Sequence, residues 1–140
     1  MSQTLLRFGA ARFAEQTFDD IRAFSKDPVI GVSRQGYSET ENKVHSYIKD
    51  WAEKLALETR VDRCGNLFVT LPGADRTLPC YMTGSHGDSV PQGGHYDGLA
   101  GVVAGMTVIW WMKHIGMTPA RDVTLVVFRM EESSWFGKAY

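Results

Sequence analysis

The strongest constraint on the fold is a strand–helix–strand succession in the second half of the 140-residue sequence. A short apolar strand (78–83), a glycine-rich loop (84–98), an apolar helix (99–115) and a second apolar strand (122–130) follow one another. The apolar run at 123 and 125–128 is typical of a strand covered on both faces. Such a succession predicts parallel strands joined by a right-handed crossover, and hence an α/β fold with a mostly parallel sheet flanked by helices.

The first half of the sequence predicts two helices and a β-hairpin. Apolar residues spaced at three or four predict an amphipathic helix over 5–24, inside which Thr17 could begin a second helix. A capping box at 38–41 (SETE) predicts the start of the next helix, and His45 lies off its apolar stripe, so we expect it at the surface. Residues 57–71 predict a hairpin that turns at 64–66.

Composition and charge narrow the classes of partner. The chain has 15 basic and 16 acidic residues, a net charge of −1 and no basic tract, which argues against nucleic acid or an anionic membrane as partner. The apolar run at 99–112 is too short to span a bilayer, and residues 1–14 lack the pattern of a signal peptide. Cys64 and Cys80 have no CxxC spacing, so we expect two reduced thiols in a cytoplasmic protein.

Ionisable side chains stand at the predicted strand ends. His86 and Asp88 follow the first strand of the succession, Glu131 and Glu132 follow the second, and Asp97 precedes the helix between them. In open α/β sheets, ligands bind beyond the carboxyl ends of the strands. We therefore expect these five side chains to meet at one edge of the sheet.

This set of side chains suits a divalent metal site. One imidazole with several carboxylates and no cysteine favours zinc, manganese or cobalt. Asp88 lies two residues from His86 and could fix its ring, and a single carboxylate can bridge two metals. Of Glu131 and Glu132, one can bind metal while the other serves as general base.

Each residue taken alone has a plainer interpretation. Asp97 could be the N-cap of the helix, His86 a structural loop histidine, and residues 131–132 a solvated strand end. His95 is expected to be a solvated loop residue. Only the combination of residue types, order and placement at strand ends favours a catalytic site.

Three segments carry a family resemblance: 84–91 (GSHGDSVP), 93–102 (GGHYDGLAGV) and 130–137 (MEESSWFG), with support from 31–34 (GVSR), 61–68 (VDRCGNLF) and 71–73 (LPG). Together they resemble the M20 metallopeptidase superfamily, and most closely its hydantoinase/carbamoylase family of amidases. That family includes N-carbamoyl-L-amino-acid hydrolases and allantoate amidohydrolases. The similarity spans about residues 29–137.

The resemblance implies a role for each site residue. His86 would be a ligand of one metal, Asp97 the bridging carboxylate, Glu132 a ligand of the second metal, Glu131 the general base and Asp88 the support of the ligand histidine. It also implies two divalent ions, zinc first and manganese or cobalt as alternatives, and a cis peptide bond after Asp97.

The implied activity is hydrolysis of linear C–N bonds in N-carbamoyl amino acids or related ureido compounds, by metal-activated water. Two departures leave the substrate open: Gly87 stands where relatives often have leucine, and 133–136 (SSWF) where they often have Gly-Ser-Arg-Phe. One alternative is an M20 exopeptidase or N-acyl-amino-acid deacylase. The other is a non-catalytic association domain with a vestigial site.

Family enzymes continue well beyond this length, with two more histidine ligands and a lid domain that usually dimerises. The resemblance therefore implies that residues 1–140 are the amino-terminal part of the catalytic domain, without the lid. Each metal would have two protein ligands here, whereas a catalytic zinc usually has about three. We expect weak metal binding, little activity of the chain alone, and association with a second copy or a complementing chain through exposed apolar surface.

Overall fold

A computed structural model describes residues 3–132, and for residues 3–7 only the backbone. These residues form three helices and four strands, which confirms the α/β class and every predicted element. In chain order they are α1 (Gln3–Ser25), α2 (Glu39–Lys54), β1 (Glu58–Val61), β2 (Leu67–Leu71), β3 (Tyr81–His86), α3 (Leu99–His114) and β4 (Val123–Phe128). None of these helices has the length and apolarity needed to cross a bilayer.

The four strands form one sheet in the order β1-β2-β4-β3. Strands β3 and β4 are parallel and joined through α3, as the succession predicts. The β1–β2 and β2–β4 pairs are antiparallel, so the expectation of a mostly parallel sheet is wrong for the described strands. The reason is that the hairpin pairs with β4 through β2, and β2 runs opposite to β4.

The three helices and the sheet enclose one apolar core. Strand β2 alternates so that Leu67, Val69 and Leu71 are buried, and they contribute to this core with residues of β4, α2 and α3. Helix α3 lies very close to the sheet, because a Cβ at Gly105 would stand 2.7 Å from a methyl group of Leu125. Near the start of α3, a Cβ at Gly101 would stand 2.7 Å from Cβ of Ser85, so the start of α3 lies beside the end of β3.

Helix α1 is continuous through Thr17. The hydroxyl of Thr17 donates to the Phe13 carbonyl oxygen within the helix at 2.8 Å, so Thr17 does not begin a second helix. Phe13 stacks on Trp110 at 5.5 Å between ring centroids, which joins α1 to α3.

The start of α2 differs from a complete capping box. Ser38 accepts the Glu41 N–H at 3.3 Å, as predicted. The Glu41 carboxylate accepts instead from the N–H of Tyr37 at 2.6 Å and of Met130 at 3.1 Å, and pairs with Arg129 at 2.9 Å. Glu41 therefore ties the start of α2 to the segment that leads into Glu131.

Two sequence expectations about position are corrected. His45 is 7% exposed rather than at the surface, because this face of α2 packs beneath Gly87. Burial, followed by the charge of Arg129, lowers the pKa of His45 to about 4. Strand β3 runs over Tyr81–His86 rather than 78–83, so His86 occupies its last position and pairs with Phe128. Cys64 and Cys80 are both exposed free thiols.

Candidate metal centre

The imidazole of His86 lies at the centre of the predicted site. Its Nε2 atom is 3.6 Å from Oε2 of Glu131 and 3.9 Å from Oδ1 of Asp97. His86, Glu131 and Glu132 each place a ligand atom within 4.8 Å of the other two. The structure thus brings together residues from the end of β3, the segment after β4 and the segment before α3.

Asp88 is fully buried and contacts residues at the end of β3 and after the end of β4. Its Oδ1 atom lies 3.2 Å from Nδ1 of His86, which leaves Nε2 directed toward the carboxylates. The same carboxylate accepts the backbone N–H of Glu131 at 3.2 Å and of Glu132 at 2.9 Å. Asp88 is therefore a positioning residue in this geometry and not a member of the ligand group.

The pKa values of this pair follow from their contact. The hydrogen bond to Asp88 raises the pKa of His86, against the opposing effect of burial. Burial acts to raise the pKa of Asp88, but hydrogen bonds from His86 and from the N–H groups of Glu132 and Glu131 together lower it. Both shifts favour an ion pair between imidazolium and carboxylate where no metal is bound.

Carboxylates are crowded around His86. Burial, and next the charge of Asp97, raise the pKa of Glu132, and the charges of Glu131 and Asp88 act in the same direction. Mutual repulsion of this kind is relieved by a divalent cation held among the carboxylates. The donor set, one nitrogen and several carboxylate oxygens, fits such an ion.

Gly98 makes room for the ring of His86. It has a φ of 65°, and a Cβ built on it would overlap the imidazole ring. Gly98 is also the N-cap of α3 and provides no side-chain hydrogen bond there. The side chain of Asp97 does not cap the helix and is 54% exposed at the site. No cis peptide bond occurs within residues 3–132, so the cis bond expected after Asp97 is not present.

His95 lies beside the site but is not solvated as expected. It is half-buried, with Nε2 2.9 Å from the Phe18 carbonyl oxygen in α1, and burial lowers its pKa. Tyr96 packs edge-on against Phe18 and remains 63% exposed. These contacts tie the loop before Asp97 to α1. The segment 133–136, which carries one of the departures noted above, lies outside the described residues.

Arg34 is the residue at this site that the sequence did not predict. It is 0% exposed, and it donates from Nε to the Gly87 carbonyl oxygen at 2.8 Å and from Nη2 to the Asp97 carbonyl oxygen at 3.1 Å. Its only signal in the sequence is its place in the 31–34 segment of the family resemblance, which assigns it no role.

Three curated relatives match most of the chain. The chain is 35% identical to ureidoglycolate hydrolase from rice over 88% of its length, and 34% identical to allantoate amidohydrolase from Escherichia coli over 87%. It is 31% identical to N-carbamoyl-L-amino-acid amidohydrolase from Rhizobium meliloti over 90%. It spans only 25%, 30% and 31% of the lengths of these relatives, respectively. No protein-family model matches the chain.

A solved structure gives the same result. An amidase of the hydantoinase/carbamoylase family from Burkholderia multivorans superposes on 89% of this chain with a TM-score of 0.84 and 28% identity, while the chain covers 30% of that structure. The resemblance seen in the sequence is thereby confirmed: over about 88% of its length, this chain is a homologue of the hydantoinase/carbamoylase family of amidases.

Proposed function

We propose that residues 1–140 form the amino-terminal part of the catalytic domain of a metal-dependent amidohydrolase. The observation that carries this proposal is the meeting of His86, Glu131 and Glu132, with ligand atoms within 4.8 Å of one another and Asp97 close to the same imidazole. The proposed reaction is hydrolysis of linear C–N bonds. The proposed substrates are N-carbamoyl amino acids or related ureido compounds, the class that appears in the names of the relatives.

The proposed roles are those that the family resemblance implies for these donors, and the proximity of the donors supports them. His86 and Glu132 would each hold one of two divalent ions, zinc first or manganese or cobalt, and Asp97 would bridge them. A bound divalent ion acts as a Lewis acid and lowers the pKa of water. Because the described residues offer only part of a full ligand set, we expect weak metal binding and little turnover by this chain alone.

Glu131 is the proposed general base. Its carboxylate is 60% exposed and lies 3.6 Å from His86, so it can reach water at the site. It would accept a proton from the attacking water and give it to the departing nitrogen. Asp88 supports this role by fixing the backbone N–H of Glu131.

Zinc titration of the purified chain tests the metal site. We expect binding in the micromolar range, which is weak for a catalytic zinc site. It should be lost in Asp97→Ala and in Glu132→Ala, and retained in the control Asp75→Ala, an exposed aspartate of a distant turn. Equal affinity in all variants would contradict the proposal. That result would favour the alternative of a non-catalytic association domain with a vestigial site.

Parallel assays of the zinc-loaded chain test the substrate class. We expect N-carbamoyl amino acids or allantoate to be hydrolysed faster than dipeptides and N-acyl amino acids, and we expect Glu131→Gln to abolish the difference. The relative rates decide the class even where the absolute rates are low. Preferential cleavage of dipeptides would overturn the assignment and favour the exopeptidase alternative.

A further inference from the structure

Arg34 belongs to a short segment that lies along the loop carrying the proposed ligands. Val32 exchanges two backbone hydrogen bonds with Gly93, at 3.1 and 2.8 Å. The N–H of Ser89 donates to the Arg34 carbonyl oxygen at 2.9 Å, and the N–H of Arg34 donates to the Ser89 hydroxyl at 3.0 Å. The backbone of residues 32–34 is thus joined to the loop at both ends.

The guanidinium group of Arg34 then connects the two ends of this loop. Its Nε–H reaches the carbonyl oxygen of Gly87, the residue between His86 and Asp88, and its Nη2 reaches the carbonyl oxygen of Asp97. The guanidinium is planar and presents its donors in a fixed fork, so two acceptors bound to it are held at a set separation. One side chain therefore sets the spacing between the start of this loop, next to His86, and its end, at Asp97.

This arginine is costly as a purely structural residue. It is 0% exposed, its Nη1 atom has no hydrogen-bond partner within residues 3–132, and no carboxylate oxygen in that range bonds to it. A buried charge without an ion-pair partner is unfavourable. Its charge attracts Asp88 and Asp97, both at the site. The neighbouring carboxylates of Asp88 and Asp97 thus account for a charge buried at this position.

We propose that Arg34 is a positioning residue, which holds the Gly87 and Asp97 carbonyl groups so that His86 and Asp97 stand at the spacing a divalent ion requires. This inference rests on the metal site proposed above. Loss of a residue that orients metal ligands typically reduces metal affinity about 10- to 100-fold. Lysine keeps the charge of Arg34 but offers a single ammonium in place of the fork, so Arg34→Lys separates geometry from charge.

The test combines two measurements on the 140-residue chain and on Arg34→Lys and Arg34→Met. Hydrogen exchange without metal reports how firmly residues 86–99 are held, and zinc titration reports the site. We expect both variants to exchange faster across 86–99 and to bind zinc about 10- to 100-fold more weakly. Ile48→Ala, a core truncation in α2, is the matched control: it should destabilise the chain yet leave zinc affinity unchanged under conditions where it remains folded.

Each other outcome has a defined meaning. Unchanged exchange across 86–99, or faster exchange with unchanged zinc affinity, overturns the positioning role. Failure of both variants to fold in the presence of zinc also counts against it, since Arg34 would then be required for the fold rather than for the site. If the unmodified chain binds no zinc, the proposed metal function fails, whereas the exchange measurement still decides whether Arg34 holds the two ends of the loop together.

Discussion

The buried carboxylate of Asp88 accepts the backbone N–H of Glu132 at 2.9 Å, so the end of β3 positions the segment that follows β4. The other oxygen of the same carboxylate faces Nδ1 of His86. A single side chain therefore orients the imidazole and places the two glutamates relative to it. The proposed metal site depends on this shared support as much as on its ligands.

Asp88→Asn tests that support. An amide group has only one oxygen, so it cannot serve both His86 and the N–H groups of residues 131–132, and one buried donor loses its acceptor. We expect the free energy of unfolding to fall by about 1–3 kcal/mol and zinc affinity to fall about 10- to 100-fold. Urea denaturation and zinc titration measure the two effects.

Asp75→Asn is the control for this substitution. Asp75 also accepts a backbone N–H, that of Thr77, but it is exposed and distant from the site. It should change neither quantity appreciably. Equal effects of the two substitutions would show that the support from Asp88 is not specific to the site.

Gly98→Ala is expected to displace the ring of His86. The substitution adds a Cβ that overlaps the ring, at a backbone position with a φ of 65°. The matched control is Gly116→Ala, because Gly116 has a φ of 69° but nothing within 4 Å of its Cβ position. A left-handed conformation costs alanine about 1–2 kcal/mol, which Gly116→Ala should lose. Gly98 has a ψ of −50°, outside the left-handed helical region, so its backbone alone should cost alanine at least as much.

Only Gly98→Ala should lose further stability, shift the NMR resonances of His86 and lose zinc affinity. Urea denaturation, NMR of the histidine rings and zinc titration distinguish the two variants. Identical losses of stability with an unchanged His86 signal would mean that the ring can move aside without consequence.

The sheet edge and most of its side chains are predictable from the sequence. The order strand, helix, strand places the carboxyl ends of β3 and β4 together, and His86 and residues 131–132 stand at those ends. The residue types then indicate a metal. The direction of β2 is harder to predict, because the hairpin fixes only the β1–β2 pair and leaves open which strand β2 joins.

The supporting residues could not be predicted in the same way. Arg34 meets Gly87 and Asp97 across separations of more than 50 residues in sequence, and Glu41 meets Met130 across 89. No local periodicity reports such contacts. His45 illustrates the same limit. The helical pattern places it off the apolar stripe of α2, but the loop at Gly87 packs over it and buries it.

His45 should make stability depend on pH. Burial, and then Arg129, lower its pKa in the folded chain to about 4, from 6.5 in the unfolded chain. Between these values the unfolded state binds the proton and the folded state does not. The contribution of His45 is therefore complete above about pH 6.5 and is lost as the pH falls toward 4, by about 3 kcal/mol in all.

Urea denaturation of His45→Leu between pH 7 and 4 measures this effect. The variant should show a shallower loss of stability on acidification than the unmodified chain, since leucine takes up no proton in the unfolded state. Val44→Ala is the control, because Val44 is a buried neighbour on α2 without an ionisable group: it should lower stability by the same amount at each pH, so that its profile runs parallel to that of the unmodified chain. Parallel profiles for all three proteins would exclude His45 as the source of the slope.

Glu41→Gln should be strongly destabilising. Glu41 is 0% exposed, pairs with Arg129 at 2.9 Å, and accepts the N–H groups of Tyr37 and Met130. Removing one charge of a buried pair leaves the other charge uncompensated, which costs about 3–5 kcal/mol. Because Arg129 is slightly exposed, we expect a loss near the lower end of this range. Because Met130 leads into the proposed base, zinc affinity should fall as well.

The control for Glu41 is Glu58→Gln, which breaks a shorter ion pair. Glu58 and Arg76 meet at 2.7 Å, but both side chains are about half exposed to solvent. Water and salt screen such a pair, so the loss of stability should be far smaller than for Glu41→Gln despite the shorter distance. Urea denaturation of both variants at low and at high salt tests this ranking. A larger loss of stability in Glu58→Gln, or a salt dependence seen only for Glu41→Gln, would contradict it. Either result would mean that burial is not the source of the strength of the Glu41–Arg129 pair.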